Sequence, residues 1–215
     1  MRRAWLAAAL MFALAACGSR PPAPDWQMNA HDSLGRYLAD FMAGDDPAAA
    51  AEFARARSDL ASTGQPALVA RAELTRCAAL LANLVLDPCD GFERLREDAG
   101  PAERAYADYL GGRLAPAEVD LLPAQHRVVA RSGGAGALRS IADPLSRLVA
   151  AGVLFRTDRA SPEVLTIGAD TASAQGWRRP LLTWLGVQLR RAEAAGASQE
   201  VQRLRRRIAL ASGER

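Results

Sequence analysis

Residues 161–196 read SPEVLTIGADTASAQGWRRPLLTWLGVQLRRAEAAG, and this stretch decides the fold class. Ser161-Pro162-Glu163 combines a capping serine, a proline at the first helical position and an early acid, a strong helix start. A helix through Val164, Ile167 and Thr171 is predicted to end near Gly176. Leu181, Leu185 and Leu189 recur at helical spacing and define a second helix ending at Gly196. Two helices joined by so short a loop pack as an antiparallel hairpin.

The same grammar extends outward in both directions. Ser198 can cap a last helix in which Val201, Leu204 and Ile208 face inward and Arg203, Arg205, Arg206 and Arg207 crowd the rest. Upstream, Asp143-Pro144 starts a helix with Leu145, Leu148 and Val149, closed by Gly152; Val153-Leu154-Phe155 is either a short extended stretch or a buried helix end. Leu122, His126 and Val129 make a stripe that stops at Ser132-Gly133-Gly134, and Pro116 opens a brief turn before it. Tyr106, Tyr109 and Leu110 mark a helix between Gly100-Pro101 and Gly111-Gly112, and Asp90 caps a short segment around Phe92 and Leu95. Near the N-terminus, Asp32 or Ser33 can cap a helix carrying Leu34, Tyr37, Leu38, Phe41 and Met42, closed by Gly44. Asp46-Pro47 starts the next, with Ala49, Phe53, Ala56 and Leu60, and Gln65-Pro66 restarts the pattern for Leu74, Cys77, Leu81 and Leu84. The expected fold is all-α: an irregular array of antiparallel helical hairpins forming a single domain over residues 29–215. Aromatic residues are only 6% of the chain, and strands favour aromatic and β-branched residues. In residues 162–195, a 34-residue hairpin, Trp184-Leu185-Gly186 and Ala192, Ala195 and Gly196 are weakly similar to the tetratricopeptide repeat. No second copy stands in register.

The first residues carry an address. Arg2 and Arg3 precede a 13-residue run without charge, Ala4 to Ala16, and small residues lead into Cys17. A spanning helix needs about 20 apolar residues, so the run reads as the core of a signal peptide. Leu14-Ala15-Ala16-Cys17 resembles the lipobox of bacterial lipoproteins. The resemblance implies that residues 1–16 are a signal peptide cut before Cys17 and that the Cys17 thiol carries a lipid. Two acyl chains already anchor stably at about 0.8 kcal/mol per buried methylene. An ordinary secretory cut in the same stretch would instead leave a free thiol near the new N-terminus. Gly18, where an aspartate commonly signals inner-membrane retention, points to the periplasmic face of the outer membrane. Residues 18–24 (GSRPPAP) hold three prolines and read as an extended tether, so that 17–28 form anchor and spacer.

Without residues 1–16, 199 residues remain and the formal charge falls from +3 to +1, because two arginines leave with them. A near-neutral chain argues against nucleic acid as a partner, since phosphate binding shows as a clustered basic surface. All 27 basic residues are arginine, which alongside the abundance of alanine reads as coding bias.

Cys77 and Cys89 are the cysteines besides Cys17. In an oxidising envelope two internal cysteines are expected to pair; two free buried thiols are the plain alternative. Were the Cys77 helix continuous to Leu86, Cys77 would lie about 13–14 Å back along the axis, whereas a disulfide needs Cα atoms within about 7 Å. The helix must therefore end nearer Asn83, with residues 84–88 folding back along it. No Cys-x-x-Cys spacing suggests redox catalysis.

No catalytic constellation is legible. His31 and His126 are the two histidines, too few by themselves for a transition-metal site, and His126 on its apolar face reads as a partly buried, hydrogen-bonded residue. Ser132 lacks a Gly-x-Ser-x-Gly turn. The glycine-rich residues 132–138 lack the Gly-Lys-Ser/Thr of a phosphate loop and read as a flexible linker. Asp45-Asp46, Asp87 and Asp90 sit at helix caps. The basic C-terminal third offers one candidate surface for anionic lipid or lipopolysaccharide phosphates or for an acidic partner, Trp177 with Arg178, Arg179, Arg190 and Arg191, beside the plainer readings of a solvated helix face and, for Trp177 and Trp184, core packing. No catalytic residue, metal or cofactor is expected. The functional expectation is a lipid-anchored, non-enzymatic envelope lipoprotein that binds another envelope protein as an assembly scaffold; the alternative is a helical lipoprotein that binds a lipid or small ligand.

Overall fold

A computed structural model describes residues 23–213; the stretch read as a signal peptide, Cys17 and most of the residues expected to form a tether lie outside them. The described residues are helical, with no strand among them. Helices α1 (Asp25–Ala43), α2 (Asp46–Ala61), α3 (Pro66–Ala82) and the single-turn α4 (Asp90–Glu93) are followed by a 3-10 turn at Arg96–Asp98 and α5 (Pro101–Leu110). A second 3-10 segment, Pro116–Leu121, leads into α6 (Ala124–Ser132), α7 (Gly134–Arg139), α8 (Pro144–Arg156), α9 (Pro162–Ala174), α10 (Arg178–Ala194) and α11 (Ser198–Ser212). None is long and apolar enough to cross a membrane.

Local chemistry sets most boundaries. The Asp143 and Ser161 side chains accept hydrogen bonds from the N–H groups of Ser146 and Val164, each ahead of a proline in the first turn. Pro66 opens α3 directly after Gln65. Four starts differ from expectation. Cys89, not Asp90, precedes α4, and no side chain caps it. Asp45, not Asp46, caps α2 and accepts from the Ala48 N–H; adjacent aspartates leave the register open by one residue. Ala197 rather than Ser198 precedes α11. The first helix begins at Asp25 behind Pro24, so 25–28 belong to the domain rather than the tether, and Ser33 lies buried within that helix.

α1 and α2 pair as a hairpin, and α9, α10 and α11 pack in succession. Between these flanks α3 and α8 cross at the centre. Residues 148–154 are all buried. α3 buries Val69, Ala70, Leu74, Cys77, Ala78 and Leu81 from several sides rather than along one stripe, as a helix enclosed by neighbours does. Here Gly152 departs from its expected role. It does not end α8, which runs on to Arg156. A Cβ at Gly152 would stand 2.5 Å from the Leu81 carbonyl oxygen, so glycine lets two backbones touch. Val153-Leu154-Phe155 is accordingly the buried helix end of the two readings. Trp184 of α10 is fully buried and donates from Nε1 to the Ala82 carbonyl at 3.1 Å, occupying one of the carbonyls that the end of α3 leaves open.

α3 stops at Ala82, with Asn83 as its cap. Leu84 and Cys89 both have positive φ, 55° and 62°, and the segment between them turns back along the helix. Cys77 and Cys89 thereby stand at disulfide distance, with Cα atoms 5.7 Å apart. The glycine-rich stretch is also more ordered than a linker: after Gly133, α7 forms and buries Ala135, Ala137 and Leu138.

Candidate functional site

Of the sequence-derived partner surface, Arg178, Arg190 and Arg191 are exposed and Trp177 and Arg179 are half-buried, and most of these side chains have partners within the domain. Trp177 packs against the core. Arg178 donates through Nε to the Ala43 carbonyl at 3.2 Å. Arg179 pairs with Asp46 and lies over the Phe41 ring, 4.4 Å from its centroid. Arg191 donates to the Ala160 carbonyl at 3.0 Å. Arg190 alone among the five is exposed with no hydrogen bond or ion pair among the described residues. The structure brings Arg178 and Arg179 to the α1–α2 hairpin and does not gather all five into one patch.

The concave surface lies elsewhere, around α5. Its helical spacing turns Tyr106 and Tyr109 toward His126 on α6. The three rings form a wall, with His126 5.5 Å from Tyr106 and 5.2 Å from Tyr109, centroid to centroid. On the Tyr106 side a groove of about 570 Å³ runs between α3, α5, the second 3-10 segment and α8. Leu74, Ala78, Leu122, Leu145 and Val149 make its apolar surface. Arg71, paired with Glu103 at 2.7 Å, and Arg127, donating to the Leu122 carbonyl at 2.8 Å, mark its edges. Leu121 lines the groove and is 41% exposed.

On the Tyr109 side a second cavity of about 430 Å³ is lined from α5, the 3-10 segment, α6 and α8. Val119, Val129, Val153 and Leu154 supply its apolar surface, with Arg131, Asp120 and Arg159 as charged groups. Both cavities fall in or near the size range of small-molecule pockets, about 300–1,000 Å³.

The wall between them is electrostatically unusual. Tyr109 and His126 are each 2% exposed. Among the described residues the Tyr109 hydroxyl and His126 Nδ1 have no hydrogen-bond partner, although most buried polar atoms in proteins do. The hydrogen bond expected for His126 is therefore missing at this nitrogen. Burial holds the His126 imidazole down to about 4, against a smaller opposing pull from Asp143, so the ring is neutral at pH 7. Burial likewise raises the Tyr106 and Tyr109 phenols. A neutral imidazole between two protonated phenols supplies donors, acceptors and π faces without charge.

Ser132 gives its hydroxyl to the Val128 carbonyl of its own helix at 2.8 Å; an activated serine would instead hydrogen-bond a base. Asp87, whose Oδ1 accepts from the Cys89 N–H at 2.7 Å, lies with its carboxylate within 4.8 Å of the two cysteine sulfurs. Paired as a disulfide, those sulfurs are not thiolate ligands for a metal. Tyr106, Tyr109 and Arg159 escaped the sequence reading as site residues. The tyrosines looked like helix markers, and nothing local ties either to a histidine 17–20 positions on. In comparisons with known proteins, no family model matches the chain, and neither a curated protein nor a solved structure is significantly similar to it.

Proposed function

We propose that this chain is a lipid-anchored, non-enzymatic envelope protein, tethered through Cys17 to the periplasmic face of the outer membrane, that binds another envelope protein as an assembly scaffold. The observation that supports this reading is the groove of about 570 Å³ on the Tyr106 side, apolar within and edged by Arg71, Glu103 and Arg127. Its occupant, on this chemistry, is the aliphatic face of a partner helix. Leu, Val and Ala walls reward burial of methyl and methylene groups at about 25 cal/mol per Å², and arginines at the edges suit acids flanking that face.

The test uses a photo-crosslinking residue at position 121, on the groove, and at position 210, on α11, where Leu210 is 84% exposed. Position 121 is expected to give a discrete adduct in intact envelopes that position 210 does not. The adduct should disappear when Leu145→Glu is placed in the groove and when Cys17→Ser releases the protein from the membrane. Identical adduct patterns from both positions would overturn the groove as the binding surface, and a Cys17→Ser protein that stays in the membrane fraction would overturn the anchor.

One specific observation favours a second reading, small-ligand binding: the separate 430 Å³ cavity behind the same wall, with a buried hydroxyl that has no partner inside the protein.

A further inference from the structure

The second cavity is charged in an uneven way. Of its three charged lining residues, Arg131 and Asp120 pair with each other. Arg159 has neither a hydrogen bond nor an ion pair through its guanidinium among the described residues. Arginine presents five N–H donors in a fixed fork that suits a carboxylate. Gly133 makes room for that fork: a Cβ there would meet Arg159 Cζ at 3.0 Å. The guanidinium therefore lies against bare backbone at the edge of the cavity, on an exposed side chain.

Tyr109 adds a second donor. It lines the same cavity, it is 2% exposed, and its hydroxyl has no partner. Tyr109 and Arg159 both line this one cavity. Val119, Val129, Val153 and Leu154 provide an apolar bed next to them. Thr157 turns its hydroxyl to the Val153 carbonyl, 2.8 Å away, and so presents little polarity to the cavity.

One unpaired cation, one orphan hydroxyl donor and an aliphatic bed define a ligand with one negative charge and a hydrocarbon body. We propose that this cavity binds a small monocarboxylate, its carboxylate on the Arg159 guanidinium and the Tyr109 hydroxyl, its apolar body along Val119, Val129, Val153 and Leu154. A dianionic phosphate is disfavoured, because doubly charged groups gather several charge-assisted donors and only one unpaired cation is present. The inference rests on the small-ligand reading and names its ligand class.

The test measures binding of 4-phenylbutyrate, octanoate, the neutral analogue 4-phenylbutyramide and inorganic phosphate to the full chain, by calorimetry and ligand-observed NMR. Saturable binding of at least one acid is expected, with the amide weaker by about tenfold, the size of one lost charge-assisted hydrogen bond, and with no competition from phosphate. Arg159→Gln should bring the acid down to the affinity of the amide and leave the amide unchanged; because Arg159 is solvent-facing, the variant is expected to fold. Tyr109→Phe, which removes one oxygen, should weaken the acid severalfold. If acid and amide bind alike, or Arg159→Gln leaves the acid unchanged, the monocarboxylate assignment falls while the small-ligand reading survives. If neither acid nor the amide binds saturably, both fall.

Discussion

Two regions of this domain lie at the same depth and are built on opposite terms. At the α3–α8 crossing, packing is so close that a single methyl at Gly152 would collide with the Leu81 carbonyl, and the buried indole N–H of Trp184 has its acceptor. At the α5–α6 wall, one layer away, cavities open on both sides of three rings and two buried polar atoms go unpaired. The first region follows the rule that protein interiors are close-packed, with its orphan polar atoms, Asn83 Oδ1 and Arg156 Nε, confined to the ends of α3 and α8. The second departs from it, and departures of this kind concentrate where a protein keeps groups available for something outside itself. The contrast can be broken or sharpened by substitution.

The largest effect should come from the tight side. Trp184→Ala removes a fully buried ring and strands the Ala82 carbonyl, and is expected to cost about 4 kcal/mol, read as a shift in denaturant midpoint. A loss below about 1 kcal/mol would mean the crossing is not the keystone. Removing the Cys77–Cys89 link with paired serine substitutions releases a loop with a sequence separation of 12 and should cost about 3 kcal/mol in the chain-entropy account; equal stability with and without reductant would refute that share.

The loose side should show itself in pH. His126 has a folded value near 4 against an ordinary 6.5, so the unfolded chain takes up the proton first as pH falls. Its contribution is complete above about pH 6.5 and is lost as pH drops toward 4, by about 3 kcal/mol. Glu52, held down to about 2 chiefly by its hydrogen bonds from Arg55 and then Arg36, adds to the loss only below about pH 4.5. The interval between pH 6.5 and 4.5 therefore isolates the imidazole, and His126→Leu should flatten the stability profile there. Unchanged slopes would place the ring in water. Gly152→Ala should cost about 2 kcal/mol by overpacking. Smallest of all, Tyr109→Phe should change stability by no more than about 0.5 kcal/mol, because the hydroxyl it deletes has no partner to lose. A clear destabilisation would expose a hydrogen bond and erase the contrast.

What could be read in advance follows the range of the interaction. Asp143-Pro144, Ser161-Pro162 and Gln65-Pro66 announce helices because capping and proline geometry act within one turn. The early end of α3 was deducible from the reach of the Cys77–Cys89 link alone. Gly152 misleads because a glycine that ends a helix and one that lets two helices touch look the same in a single chain. Pro24 misleads because a third proline in a proline-rich run looks like more tether, whereas here it leads into α1. Glu73 gave no warning of being buried; its carboxylate is matched by Arg57 at 2.9 Å, from a helix it meets only in three dimensions. The wall of Tyr106, Tyr109 and His126 and the unpaired Arg159 are likewise products of α5, α6 and α8 coming together, and no window of sequence contains them.

The clasp of Arg178 and Arg179 on the first two helices carries a consequence for the order in which the molecule is made. It joins residues 135 and 133 positions apart, so the first hairpin leaves the ribosome well before its seat on α10 exists. Contacts this distant in sequence form late and slow folding down. The α1–α2 hairpin must wait, with the Phe41 ring uncovered, until four-fifths of the chain has been synthesised. A nascent chain stalled before Arg178 should thus be protease-sensitive at its N-terminal hairpin, and one released after Ala194 should not.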